Sequence, residues 1–386
     1  MRSFQCLASV VTLAIVLCIT PAQAGGGFKV LHSFAGGSTD GANPFASVTP
    51  VGKNFVVPTD GGGTAGKGTL TLVRPDGTFQ LYHSFTGGSD GQNPDGTLGD
   101  DGTQLYGTTT YGGSAGCGTY YILLHDGTLY RILRSFQCGA DGAFPFSGLT
   151  WSTDRRDFFG TTINGGSTDL GAIFQAGTGG AYRSFGGSSG SNPYGGVAYD
   201  PSSETYFATA SAGGVSGFGT VVSADDFNDG GTTVLHSFAG SPNDGATPYG
   251  SLLLYNGNLY GTTYKGGTSG LGTVFRLGAT YTVLHSFQGI FNSADGSFPH
   301  GGLTLNPTDG MLYGMTQNGG NSKDLGTIFK IDPNTGAESV VHAFRGKDGA
   351  HPIGNLLLLK GALYGTTVYG GAANLGVVFR LNLSKE

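Results

Sequence analysis

Residues 259–277, LYGTTYKGGTSGLGTVFRL, recur in altered form along almost the whole chain. The fold must therefore be built from one short unit copied many times. The clearest marker is the Phe that closes an H-S-F block: Phe34, Phe85, Phe136, Phe185, Phe238, Phe287 and Phe344, spaced by 51, 51, 49, 53, 49 and 57 residues. A D-G-x-x-P block follows each marker, as at Asp90–Pro94 and Asp244–Pro248; the fourth copy lacks the Asp and reads Gly190-Ser191-Asn192-Pro193. A short apolar run, L-Y-G-T-T, a Gly pair and G-T-V-F complete the unit.

Four strand-like runs fit in each unit. In the fifth they are residues 251–255, 258–263, 272–277 and 281–287. They are rich in Val, Leu, Tyr, Phe and Thr, too short for helices, and bounded by Gly, Asn, Asp and Pro. Asn256-Gly257 is a type I′ hairpin signal. Asp76-Gly77 and Asp126-Gly127 mark the third-to-fourth turn of earlier units. Four antiparallel strands in about 50 residues is the size of a propeller blade.

The phase of the repeat says how the ends are handled. With the strands called A, B, C and D, and the H-S-F run as D, the chain after residue 24 begins on a D strand and ends on a C strand. Pairing the first D with the last C closes a ring and removes an open sheet edge. The expectation is an all-β, seven-bladed propeller of four-stranded antiparallel blades, closed by the N-terminal strand pairing with the C-terminal blade, with residues 25–386 as one domain.

The pattern L-Y-G-T-T-x-x-G-G-x-x-x-x-G-T-V-F resembles the bacterial GloVer tandem repeat of secreted and surface proteins. Near-full matches are 105–120, 259–275, 312–329 and 363–379; 158–174 matches loosely, and 55–72 and 206–222 are degenerate. The resemblance implies a surface or secreted propeller-like protein and supplies no catalytic motif.

Residues 1–24 read as a secretory leader: Arg2 at the start, an apolar stretch over 7–19, and Ala22-Gln23-Ala24 as the cleavage site. No other apolar run is long enough to span a bilayer. Gly 74 and Pro 15 make up about a quarter of the chain, a composition also seen in disorder. Here the glycines hold fixed phases beside aromatic and β-branched runs, so turns and close backbone approach are the better reading. Net charge of −6 with no basic stripe argues against a nucleic-acid partner.

Removing the leader leaves Cys117 and Cys138, at the start of strand C and just past strand D of one unit. Antiparallel C and D strands bring those ends together, so a disulfide is expected in an oxidising compartment.

Positions that repeat are expected to be structural, and positions that vary on the face shared by the D–A and B–C loops to be functional. His32, His83, His236, His285 and His342, with Arg134 and Arg183, occupy one strand position and read as local hydrogen-bonding groups. The block Asp (Asp40, Asp90, Asp141, Asp244, Asp295, Asp348) reads as a turn-fixing carboxylate, with Ca²⁺ as the alternative and no other cofactor or metal expected. The residue after the block's Pro varies: Phe45, Asp95, Phe146, Tyr194, Tyr249, His300, Ile353. The residue before the Gly pair varies too: Asp60, Tyr111, Asn164, Ala212, Lys265, Asn318, Tyr369. Aromatic platforms with scattered polar groups suit a carbohydrate surface, which singles out Tyr111, Phe146, Tyr194, Tyr249, Asn318 and Tyr369 as ligand-binding candidates. Asp60 with Asp95, and Lys265 with His300, are the pairs from neighbouring blades that an acid–base reaction on sugar could use.

The leading functional expectation is a monomeric, non-catalytic binding module for glycan or for a protein at the cell surface. The alternatives are a secreted glycoside hydrolase or polysaccharide lyase using the same face, and a structural surface protein.

Overall fold

Short β-branched and aromatic runs punctuated by glycine leave the chain little choice but narrow antiparallel sheets. The computed structural model describes residues 27–152, 156–177, 182–224, 232–289 and 295–383; the leader expected over 1–24 lies outside the described residues. Seven sheets are built on four antiparallel strands in A-B-C-D order from the centre outward, and in the third the linker segment Ala143–Pro145 adds a fifth. In blade 1 these are A Thr49–Val51, B Asn54–Thr59, C Thr69–Val73 and D Phe79–Ser84. Blades 2 to 6 repeat the order, and among the described residues there is no α-helix.

Blade 7 takes A (Leu357–Leu359), B (Ala362–Thr367) and C (Val377–Asn382) from the end of the chain and D (Phe28–Ser33) from its start. Phe28 faces Leu381, Val30 faces Phe379 and Ser33 faces Val377. The ring closes as its phase requires. The hairpin signal is also realised: Asn256 and Gly257 have φ of 49° and 70°, the two left-handed residues of a type I′ turn.

The marker Phe is the keystone of each blade. All seven are fully buried. Each backbone N–H donates to the Gly before strand C, as from Phe34 to Gly376 and from Phe238 to Gly219, both 3.0 Å. Burying each ring stabilises the fold by about 2–3 kcal/mol. The Gly that accepts this bond has little freedom to be anything else. Gly272 has φ +104°, and a Cβ there would lie 2.6 Å from the Pro299 ring of the next linker. The G of G-T-V-F and the P of D-G-x-x-P are thus one contact, made around the whole ring.

Two kinds of D–A linker contact hold successive blades in register. The residue before each linker Pro takes left-handed φ between 52° and 59°: Asn43, Asn93, Phe144, Asn192, Thr247, Phe298 and His351. Its N–H donates to the B–C loop of the blade being left, for example Asn93 to Lys67 (2.9 Å) and Phe298 to Leu271 (2.7 Å). Short two-residue ladders, Gly41–Ala42 with Gly61–Gly62 and Gly245–Ala246 with Lys265–Gly266, dock the same linker on the B–C loop of the blade being entered. The D–A and B–C loops therefore share one face.

Candidate functional site

The constant positions on that face form clips. His32 lies 3.1 Å from Asp40, His83 3.1 Å from Asp90, His236 3.0 Å from Asp244, His285 2.9 Å from Asp295 and His342 3.0 Å from Asp348; Arg134 takes the same place 3.3 Å from Asp141. Each carboxylate also accepts the N–H of the residue after the marker Phe, at 2.8 Å for Ala35 and Ala239. Where the fourth copy lacks the Asp, Ser189 Oγ accepts the equivalent N–H of Gly186 at 2.8 Å. Burial pulls the Asp90, Asp244 and Asp348 carboxyls up, but the imidazole and backbone donors outweigh it and hold them below the usual range. These carboxylate oxygens already have donors, which a cation would have to displace. The repeating His and Asp are local fastenings, as their constancy suggests.

The varying residues converge. Phe45, Asp95, Phe146, Tyr194, Tyr249, His300 and Ile353, one from each linker, line a single depression at the mouth of the channel. Proline and then strand A carry each one inward. Below them the backbones close together: a Cβ on Gly250 would meet the Gly301 carbonyl at 2.7 Å, and one on Gly195 the Gly250 oxygen at 2.6 Å. Ser251 and Asn355 side chains add hydrogen bonds to Gly196 and Gly302 across the same neck. The depression is open to solvent and narrows to a space of about 60 Å³ at its floor.

Above the neck the rings touch in an arc. Centroid separations are 6.4 Å for Phe45–Phe146, 5.6 Å for Phe146–Tyr194, 5.0 Å for Tyr194–Tyr249 and 4.8 Å for Tyr249–His300. The two tyrosine pairings are edge-to-face, while His300 stacks on Tyr249. Burial raises the Tyr194 and Tyr249 hydroxyls, so both stay protonated donors at neutral pH. Burial lowers His300 to about 4, so its imidazole is neutral there.

Of the candidate pairs, Asp60 and Asp95 come together. Asp95 is buried; Thr110 Oγ1 donates to its Oδ2 at 2.6 Å, while Oδ1 has no donor. Burial and the neighbouring Asp60 charge raise the Asp95 carboxyl well above its usual range. The orphan oxygen is explained if it carries the proton and offers it to Asp60. Asp60 in turn is held by Asn93 Nδ2 at 2.7 Å. Lys265 and His300 do not form a pair: Lys265 is exposed, whereas His300 is enclosed by Tyr249 and Tyr264.

The outer candidates divide. Tyr111 and Tyr369 stand exposed on the rim, against Phe144 at 5.4 Å and His351 at 6.0 Å. Asn318 spends its amide on Asp324 at 3.0 Å. Tyr264 and Phe298, which attract no notice as sequence, extend the arc outward: Tyr264 lies 5.2 Å from Tyr249 and 5.1 Å from Phe298. The available signal was the pre-proline position, where Phe144, Phe298 and His351 accept a left-handed backbone that costs bulky residues about 1 kcal/mol or more.

The expected bridge is present: Cys117 and Cys138 form a disulfide with Cα atoms 5.4 Å apart. Among the described residues no helix is long and apolar enough to cross a membrane.

The family described as the Gloeobacter/Verrucomicrobia repeat matches residues 12–185 and 177–379. No curated protein matches the sequence. Solved structures with similar folds include a Bacteroides uniformis protein assigned as a 6-phosphogluconolactonase (16% identity, 80% of this chain and 86% of that one, TM-score 0.52). A Bacteroides fragilis protein with the same assignment is similar too (14%, 87% and 97%, 0.51). So is a Mycobacterium tuberculosis puromycin-hydrolysing peptidase (12%, 88% and 52%, 0.52), of which this chain spans about half. At such identities the likeness is one of fold alone.

Proposed function

The chain belongs to the Gloeobacter/Verrucomicrobia repeat family, and from that premise we propose that it is an exported, monomeric, non-catalytic binding module that lays glycan across the mouth of its channel. The observation that carries this reading is the continuous arc from Phe45 through Phe146, Tyr194 and Tyr249 to His300. Apolar sugar faces pack on aromatic rings, while the phenol hydroxyls and the neutral imidazole bond to sugar hydroxyls. Seven near-equivalent linkers present these groups around one rim, so several weak contacts add through avidity.

The same geometry speaks against turnover at this face. Asp60 and Asp95 lean on each other, while a glycosidase holds its carboxyls about 5 Å or more apart around the bond. Export is supported by the leader-like residues 1–24 and by a disulfide compatible with an oxidising compartment.

The test is a glycan array on the purified protein, followed by product analysis on every hit. Binding without bond cleavage is the expected result. Release of shortened or unsaturated products, lost in Asp95→Asn, would replace the module with an enzyme.

A further inference from the structure

One blade interface places a carboxylate where four others place an aromatic ring. In four blades the first residue of the D strand is an aromatic ring that lies over the His–Asp clip of the preceding blade. Phe28 stacks on His342 at 4.0 Å, Tyr130 on His83 at 3.7 Å and Tyr281 on His236 at 3.7 Å, and Phe79 covers His32 at 4.4 Å. In blade 6 that position is Glu338, and it lies over the clip of His285 and Asp295. One ligand atom from each of His285, Asp295 and Glu338 falls within 4.8 Å of the other two.

An aromatic ring covers an imidazole without needing a partner, but a carboxylate does not. Glu338 Oε1 is sealed from solvent and has no hydrogen-bond partner. It faces a second carboxylate, Asp295, which is itself buried. A buried, unsatisfied oxygen beside another carboxylate is costly unless a cation or a proton lies between them. Asp295 is already oriented from behind, its Oδ1 accepting from Gln288 N at 3.1 Å and Gly289 N at 3.0 Å. Such outer bonds are what fix a ligand carboxylate.

We propose that His285, Asp295 and Glu338 form a divalent-metal site of the zinc type at the interface of blades 5 and 6. One imidazole nitrogen and two carboxylate oxygens, with water completing the shell, suit Zn²⁺ or a similar transition ion. Three protein ligands are too few, and one is the wrong element, for a Ca²⁺ cage. The ion would replace the proton now shared by His285 and Asp295, and it would link two blades where four other interfaces use a ring contact.

The repeat supplies the control. Glu338→Tyr installs the residue that blade 5 carries at this position, so it removes a ligand while keeping an interface known elsewhere in the molecule. The chain is stripped with EDTA, melted with and without ZnCl₂, and assayed for metal by mass spectrometry after desalting. The wild type is expected to retain one Zn²⁺ per chain and to melt higher with zinc. Glu338→Tyr is expected to bind zinc at least tenfold more weakly and to lose the zinc-dependent shift. Glu338→Gln provides the same readout should the Tyr variant fold poorly. Absence of retained zinc and of a shift in the wild type overturns the proposal, with Glu338 then held as the protonated acid. Equal retention by the variants overturns it too, since the remaining His–Asp clips would then be the binders.

Discussion

The clips and the mouth sit a few residues apart on the same linkers, yet they behave oppositely under repetition. The clip keeps one chemistry around the ring: His or Arg on the strand, Asp or Ser in the turn, Phe beneath. The mouth changes residue at almost every step, from Phe45 through Asp95 to Ile353. Structural requirements are identical in each blade, so symmetry preserves them. The proposed ligand on the axis would touch each blade differently, so there symmetry need not be kept. In a repeat protein, a position's variation among copies separates fastening from recognition.

The comparison breaks most readily at a clip. Asp244→Ala strands His236 and the Ala239 and Gly245 amides, which Asp244 now accepts. It is expected to cost about 3 kcal/mol in thermal or urea unfolding, without altering glycan affinity. Asp244→Ser should recover part of that loss, because Ser189 already caps the fourth linker. A clip variant that abolished binding while remaining folded would erase the distinction.

Removing the Cys117–Cys138 bridge by double Ser substitution should cost about 2–3 kcal/mol, since it frees a loop with sequence separation 21. The same midpoint with and without reductant would contradict it.

The mouth responds to pH through His300. Its folded-state value of about 4 lies below the ordinary 6.5, so the unfolded chain takes up a proton that the folded chain refuses. Stability from this group is full above pH 6.5 and falls as pH drops toward about 4. The loss should reach about 2 kcal/mol, allowing for the part of the ring that meets solvent. His300→Phe should flatten that segment of the pH–stability curve, measured by urea unfolding at fixed pH. An unchanged slope would mean that the ring is better hydrated than its neighbours imply.

The smallest expected effect on stability is at the rings themselves. Tyr194→Ala and Tyr249→Ala remove half-buried side chains above a closed neck. Each should cost about 1 kcal/mol of stability or less while weakening glycan binding about tenfold or more. Equal losses in both measures would make the arc a packing feature.

Much of this was legible because a repeat allows a chain to be compared with itself. The ring closure followed from starting on D and ending on C, and Phe28 does pair with Leu381. The mouth residues could be named because Pro fixes where the next side chain goes. Tyr264 and Phe298 escaped notice because their importance lies in a packing contact between two loops, and no spacing encodes it. Lys265 and His300 looked paired because both vary in register, but Lys265 is exposed while His300 packs on Tyr249 and Tyr264. Glu338 was visible all along as the acidic member of a mostly aromatic column. It drew no attention because the column's role, covering the neighbouring blade's histidine, becomes apparent only in three dimensions.

The central claim is that recognition sits on the aromatic arc and fastening elsewhere. Isothermal titration of the best array glycan into the wild type and into the Tyr194→Ala/Tyr249→Ala double variant tests it most directly. The account predicts measurable binding that falls about a hundredfold or more in the double variant, with a melting temperature nearly unchanged. Undiminished affinity in a folded double variant would contradict it.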